Sequence, residues 1–112
     1  MEWTIKELIE DSTKTAGDKG WLDDRSFGDH IALMHSELSE ALEEFRNKHG
    51  LNEIYYNQGN PFKPEGIPIE IADILIRIGA YAGQHGINLK EALDRKSAYN
   101  RTRDYRHGGK AI

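Results

Sequence analysis

Pro68-Ile69-Glu70-Ile71-Ala72-Asp73-Ile74-Leu75-Ile76-Arg77-Ile78-Gly79-Ala80-Tyr81-Ala82-Gly83-Gln84 is the stretch that decides the fold. Apolar residues cover almost every direction around a helix of this sequence, and such a helix is normally buried on most sides. A continuous apolar β-strand is the competing reading for 67–78, but the length of the run favours a helix. Pro68 suits the first helical position, and His85-Gly86 is a plausible stop. The polar exceptions, Glu70, Asp73, Arg77 and Gln84, fall in one narrow stripe. Gly79 and Gly83 leave room for another helix to approach closely. A chain of 112 residues has few other elements to cover such a helix, so a subunit interface is expected.

Three further helices flank this one. Thr4 with Glu7 has the form of a capping box and opens the first, which Gly17 should end. A second helix is expected from about Gly28 to about Lys48. Its Met34, Leu38, Ala41, Leu42 and Phe45 fall on one face. Asn88 with Glu91 opens a fourth helix that runs to about Arg103. Residues 51–66 hold Asn57, Gly59, Asn60, Pro61, Pro64 and Gly66 and read as a long connection of the kind that is often functional or mobile. The expected architecture is all-α: four helices around one core, in a single domain spanning residues 1–112.

Composition narrows the chemistry. With no Cys, thiolate zinc sites, cysteine nucleophiles and disulfide scaffolds are excluded. Charged residues make up 30% and apolar residues 38%, which suits a globular chain and not a disordered one. No apolar run approaches the ~20 residues of a membrane span, and the first residues lack a signal-like core. A cytoplasmic location is expected. The net charge of -4 is unevenly placed: residues 1–89 carry -8 and residues 90–112 carry +4. Such a balance does not favour general binding of a nucleic-acid backbone.

The acidic residues supply a candidate site. On a helical wheel, Glu37, Glu44 and Glu40 lie on one flank of the second helix's apolar face. The Glu70/Asp73 stripe, facing that flank, would bring Glu37, Glu40, Glu70 and Asp73 together. Four such carboxylates repel one another and raise each other's pKa. Divalent cations relieve the repulsion, and an all-oxygen donor set suits Mg²⁺ or Mn²⁺. A pair of such ions can clamp and polarise a phosphate chain. The same acids also have structural readings: Glu70 is favoured by a helix N-terminus, and Arg77 could pair with Asp73 one turn away. A di-iron carboxylate bundle needs Glu-x-x-His, and no Glu here has His three residues on.

The basic end offers a complement. Lys96 and Asn100 share a face of the fourth helix, and Arg101, Arg103, Arg106 and Lys110 follow. Placed across from a metal cluster, they would bind phosphate oxygens and charge on a leaving group. His107-Gly108-Gly109 would let backbone N–H groups approach a phosphate. His30 lies on the acidic flank, where it could contact a base or sugar. Trp3, Trp21, Phe27 and Phe62 are aromatic residues able to stack on a base.

These residues together resemble a known family. Glu37-x-x-Glu40, a connection and then Glu70-x-x-Asp73 look like the signature of the MazG-like all-α nucleoside triphosphate pyrophosphohydrolases. Ile31–Glu40 and Glu70–Leu75 are similar to the two acidic helices of that family. Lys96–Arg103 and Tyr105–Lys110 are similar to its C-terminal segment. The resemblance covers roughly residues 27–110. It implies Mg²⁺-dependent hydrolysis of a (deoxy)nucleoside triphosphate to the monophosphate and pyrophosphate, with Mn²⁺ as a possible substitute. It implies that Glu37, Glu40, Glu70 and Asp73 are the catalytic metal ligands and that Lys96 and Asn100 contact substrate, with Arg101 or Arg103. A homodimer or homotetramer is also implied. The general base is open among Glu37, Glu40 and a neighbour such as Glu44. Two departures stand out: 29 residues separate Glu40 from Glu70, and Asp104 occupies a position where relatives often have proline. The rival readings are a non-catalytic nucleotide- or metal-binding helical module, an interaction bundle with surface acids only, and a relative acting on phosphoribosyl-ATP.

Overall fold

The computed structural model describes residues 2–22 and 25–105. Four helices dominate: α1 (Ile5–Asp18), α2 (Phe27–Arg46), α3 (Ile67–His85) and α4 (Leu89–Thr102). The connection between α2 and α3 is not wholly irregular. Tyr55–Tyr56 (β1) and Pro64–Glu65 (β2) form a short antiparallel ladder, with Tyr55 opposite Glu65 and Tyr56 opposite Pro64. Among the described residues, no helix is long and apolar enough to cross a membrane.

Local chemistry sets the helix ends. Thr4 Oγ1 accepts from the Glu7 N–H at 3.1 Å, and Glu7 reaches back to the Thr4 N–H at 3.1 Å. Ser26 and Asp29 make the same reciprocal pair at the start of α2, one residue earlier than the apolar periodicity suggests. Asn88 caps α4 by accepting from the Glu91 N–H at 3.2 Å, but Glu91 does not return the bond to the Asn88 backbone. Gly86 ends α3 in the left-handed region, at φ 64°.

The glycines of α3 seat α1. A Cβ on Gly79 would lie 3.0 Å from Ser12 Oγ and 3.1 Å from the Leu8 carbonyl, and one on Gly83 would collide with the Thr13 hydroxyl. The two helices therefore touch almost backbone to backbone, and Ser12, Ala16, Ala80 and Ala82 are buried there or nearby. Small side chains allow the approach and large ones would hold the helices apart.

The other face of α3 meets α2, but not through the apolar stripe that the sequence suggests. Leu38, Leu42 and Phe45 remain about half exposed, as do Ile71 and Leu75 on α3. The buried positions of α2 are His30 and Glu37. α2 thus turns its polar flank to α3, where Glu37 finds Arg77, and much of its apolar stripe stays in water. α4 also lies apart. It packs sparsely on α1 and none of its residues is buried. The radius of gyration, 16.7 Å, exceeds the ~13 Å of a compact chain this long. The four helices of the sequence reading are present, whereas the close packing belongs to three of them.

Replacing Gly79 with Val should force α1 off α3 and lower stability by about 1–3 kcal/mol, the usual cost of overpacking. Urea denaturation followed by circular dichroism measures this. An unchanged or raised midpoint would show that α1 is not seated on Gly79.

Candidate functional site

The hairpin fixes where α3 begins. Gly66 has φ 124°, and a Cβ there would collide with the Glu53 carbonyl, so the position requires glycine. Tyr55 ties the hairpin to α2 by donating its hydroxyl to Glu44, 2.8 Å from either oxygen. That bond to Glu44, with burial and nearby carboxylates, pushes the phenol up to about 12. His49 stacks on Tyr55 and lies 3.5 Å from Glu44. Glu44, one of three candidates for a general base, is therefore committed to anchoring the hairpin.

With α3 held there, the two acidic motifs meet. Glu37, Glu70 and Asp73 each present a carboxylate oxygen, and the three atoms lie within 4.8 Å of one another. Glu40 is exposed beside Glu70, close enough to share a proton with it. Three of the four carboxylates of the sequence reading thus converge, and the fourth stands at their rim. Burial, the hydrogen bond to Glu40 and the charges of Glu40, Glu37 and Asp73 push Glu70 up to about 7. Burial and the Glu37 charge also raise Asp73, against the opposing pull of Arg77.

Arg77 spans the site. Its Nε and Nη2 both donate to Glu37 Oε1, at 3.0 and 2.8 Å, and Nη1 donates to the Tyr81 hydroxyl at 3.2 Å. The partner of Arg77 is thus Glu37 across the helix pair, not Asp73 on its own helix. The second oxygen of Glu37, Oε2, is buried with no hydrogen-bond partner, and Glu37 is only 7% exposed. A buried carboxylate oxygen in that state normally has a partner to satisfy it.

Beside the acids lies a cavity of about 470 Å³, in the size range of small-molecule sites. Asp73 and Arg77 line it and join it to the acidic cluster. Ser12 of α1, Trp21 and Arg25 of the α1–α2 connection, and Tyr81 of α3 line the rest. The Ser12 hydroxyl is buried there without a partner. His30 also lines it. It is 1% exposed, stacks on Tyr81 at 3.9 Å between ring centroids, and sits 3.4 Å from His85 through Nδ1. His30 is thus the one α2 histidine at the cavity, while His35 is exposed.

Among the described residues, the basic set of the fourth helix is not brought to this place. Lys96, Asn100, Arg101 and Arg103 are exposed on α4 or just beyond it, and none lines the cavity. Lys96 and Arg103 flank the Tyr99 ring at 5.2 and 5.7 Å, and Arg101 donates to Ser97. Arg106, His107-Gly108-Gly109 and Lys110 lie outside the described residues. Sequence reasoning missed Ser12 and Tyr81 as cavity residues. Tyr81 carried a usable signal, since it stands one helical turn after Arg77, but nothing marks Ser12. No protein-family model matches this chain, and comparison with curated proteins and with solved structures finds no match in either.

The raised acids make a pH prediction for the metal-free protein. Glu70 keeps its proton in the folded state over a range where the unfolded chain has lost it. The folded state then binds more protons, so stability falls as pH rises from about 5 to about 8. Urea midpoints in a chelating buffer should decline across this window, and Glu70→Gln should flatten the decline. Midpoints that climb instead would contradict the raised affinity of Glu70.

Proposed function

We propose that the chain is a cytoplasmic, Mg²⁺-dependent nucleoside triphosphate pyrophosphohydrolase of the MazG-like kind, releasing a monophosphate and pyrophosphate. The observation that carries this reading is the convergence of Glu37, Glu70 and Asp73, with a buried, unpartnered Glu37 oxygen, at the end of a cavity of small-molecule size. The donor chemistry fits a hard divalent cation: every converging group is a carboxylate, and their mutual charge is only partly offset by Arg77. Glu37, Glu70 and Asp73 would hold the ion, with Glu40 joining from the rim. Bound there, Mg²⁺ or Mn²⁺ supplies charge neutralisation and polarisation of phosphate oxygens.

The residues divide the remaining work. The cavity receives the nucleoside part, with Trp21 and Tyr81 offering ring faces. Asp73 and Arg77 belong to both cavity and acidic cluster, which joins the base end of a ligand to its phosphate end. Of the three candidates for general base, Glu44 is held by Tyr55 and Glu37 by Arg77, which leaves Glu40, exposed at the rim beside Glu70, to accept a proton from attacking water.

A homo-oligomer completes this reading. The half-exposed Leu38, Leu42 and Phe45 of α2, Ile71 and Leu75 of α3, and a fourth helix with no buried residue leave one chain short of a core. A second copy offers the same apolar stripes and can cover them in a two-fold pair, giving the four-helix packing. Lys96, Asn100, Arg101 and Arg103 then act as phosphate contacts within the assembly. That none of them lines the cavity of their own chain favours one rival, a module that binds nucleotide and metal without turnover, and the same assay separates the two.

A panel of nucleoside and deoxynucleoside triphosphates, assayed for monophosphate and pyrophosphate with Mg²⁺ and Mn²⁺, should give metal-dependent release. Glu40→Gln and Asp73→Asn should each abolish it while the helical signal persists. Metal-dependent binding without release would favour the non-catalytic module, and retained turnover in both variants would remove the assigned ligands. Light scattering should give a mass at least twice 12.8 kDa, and Leu75→Glu should reduce it. A wild-type monomer would overturn the proposed assembly.

A further inference from the structure

Arg77 is the feature of the site that the reading above leaves unexplained. A catalytic metal ligand does not need a guanidinium on it, yet two of the five N–H donors of Arg77 bind one oxygen of Glu37. A third bonds to the Tyr81 hydroxyl at the cavity wall. The guanidinium is thus tethered at both ends of the boundary between acids and cavity, and its side chain is about one-third exposed. It also acts on Asp73, whose affinity for a proton it lowers.

We propose that Arg77 is the internal counter-ion of the site: it holds Glu37 while no divalent ion is bound, yields Glu37 when one binds, and turns the freed N–H donors to a phosphate group where the cavity meets the acidic cluster. The inference rests on the divalent-cation reading above. Two facts argue for an exchange and against a fixed structural pair. Oε2 of Glu37 is buried and takes no bond from Arg77, both of whose bonds go to Oε1, so the carboxylate has unused capacity for a stronger cation. Arg77 has a second anchor in Tyr81, so it can leave Glu37 and stay at the cavity wall. A guanidinium fork is suited to two oxygens of a phosphate, which replaces the two bonds given up. Cation and phosphate ligand are then coupled through one side chain, and each favours the other.

Competition makes a prediction opposite to that for a supporting residue. If Arg77 occupied Glu37 merely to orient it as a ligand, removing Arg77 would weaken metal binding. If Arg77 competes with the cation, removing it strengthens binding. Arg77→Gln should therefore bind Mn²⁺ several-fold more tightly than wild type, read from free Mn²⁺ by electron paramagnetic resonance without nucleotide. Equal or weaker binding overturns the proposal.

A measurement on wild type keeps the test open if that variant does not fold. The Arg77 Nε–H resonance, assigned through the charge-preserving Arg77→Lys, should shift and exchange faster with solvent on titration with Mg²⁺. It should shift again and regain protection when a non-hydrolysable triphosphate analogue is added. A resonance unmoved at saturating Mg²⁺ overturns the exchange while leaving the metal site standing. A wild type that binds neither Mn²⁺ nor Mg²⁺ removes the metal reading itself, and the exchange with it.

Discussion

The contact between Glu37 and Arg77 governs the arrangement of the second and third helices. A carboxylate as buried as Glu37 is costly unless charge and hydrogen bonds compensate it. Arg77 provides both, from a position 40 residues further along the chain. That pairing fixes how α2 lies on α3. It stands where the two acidic motifs meet, with Glu40 beside Glu70 and Glu37 beside Asp73.

The rest of the chain serves that juxtaposition at some expense to its own packing. Gly79 and Gly83 bring α1 onto the back of α3 and so close one wall of the cavity. Gly66 and the Tyr55–Glu44 bond hold the start of α3 where Glu70 can reach Glu40. Because α2 spends its contact with α3 on a polar flank, its apolar stripe is left half in water. α4 is stabilised chiefly by its Asn88 cap and by pairs such as Lys90–Asp94 and Arg95–Glu91. Pairs of that type contribute a few tenths of a kcal/mol each, and a helix of 14 residues is marginal on such support alone.

Much of this was legible in the residues and some was not. The all-α character and four helices followed from periodicity, caps and stops, because these depend on neighbours within about one turn. The α3 glycines were read as a close approach, and α1 proved to be the partner. The hairpin inside 51–66 was not legible, since two-residue strands leave almost no alternation to detect. The acid cluster was foreseen from the angular position of four residues. The wheel placed Glu37 on a flank of the apolar face, but it could not show that Glu37 would be buried while Leu38, Leu42 and Phe45 stay half exposed.

What the sequence by itself determined is therefore the set of helices and the two pairs of acids, one turn apart on each of two helices. What only the tertiary structure decided is the partner of each charge. Arg77 had Asp73 within reach on its own helix and bonds instead to Glu37, and the basic residues of α4 stand away from the acids in the same chain. The reason is physical: helix formation is governed by local hydrogen bonds and spacing. The choice among possible ion partners is governed by which carboxylate is most deeply desolvated, and burial exists only once the helices have packed.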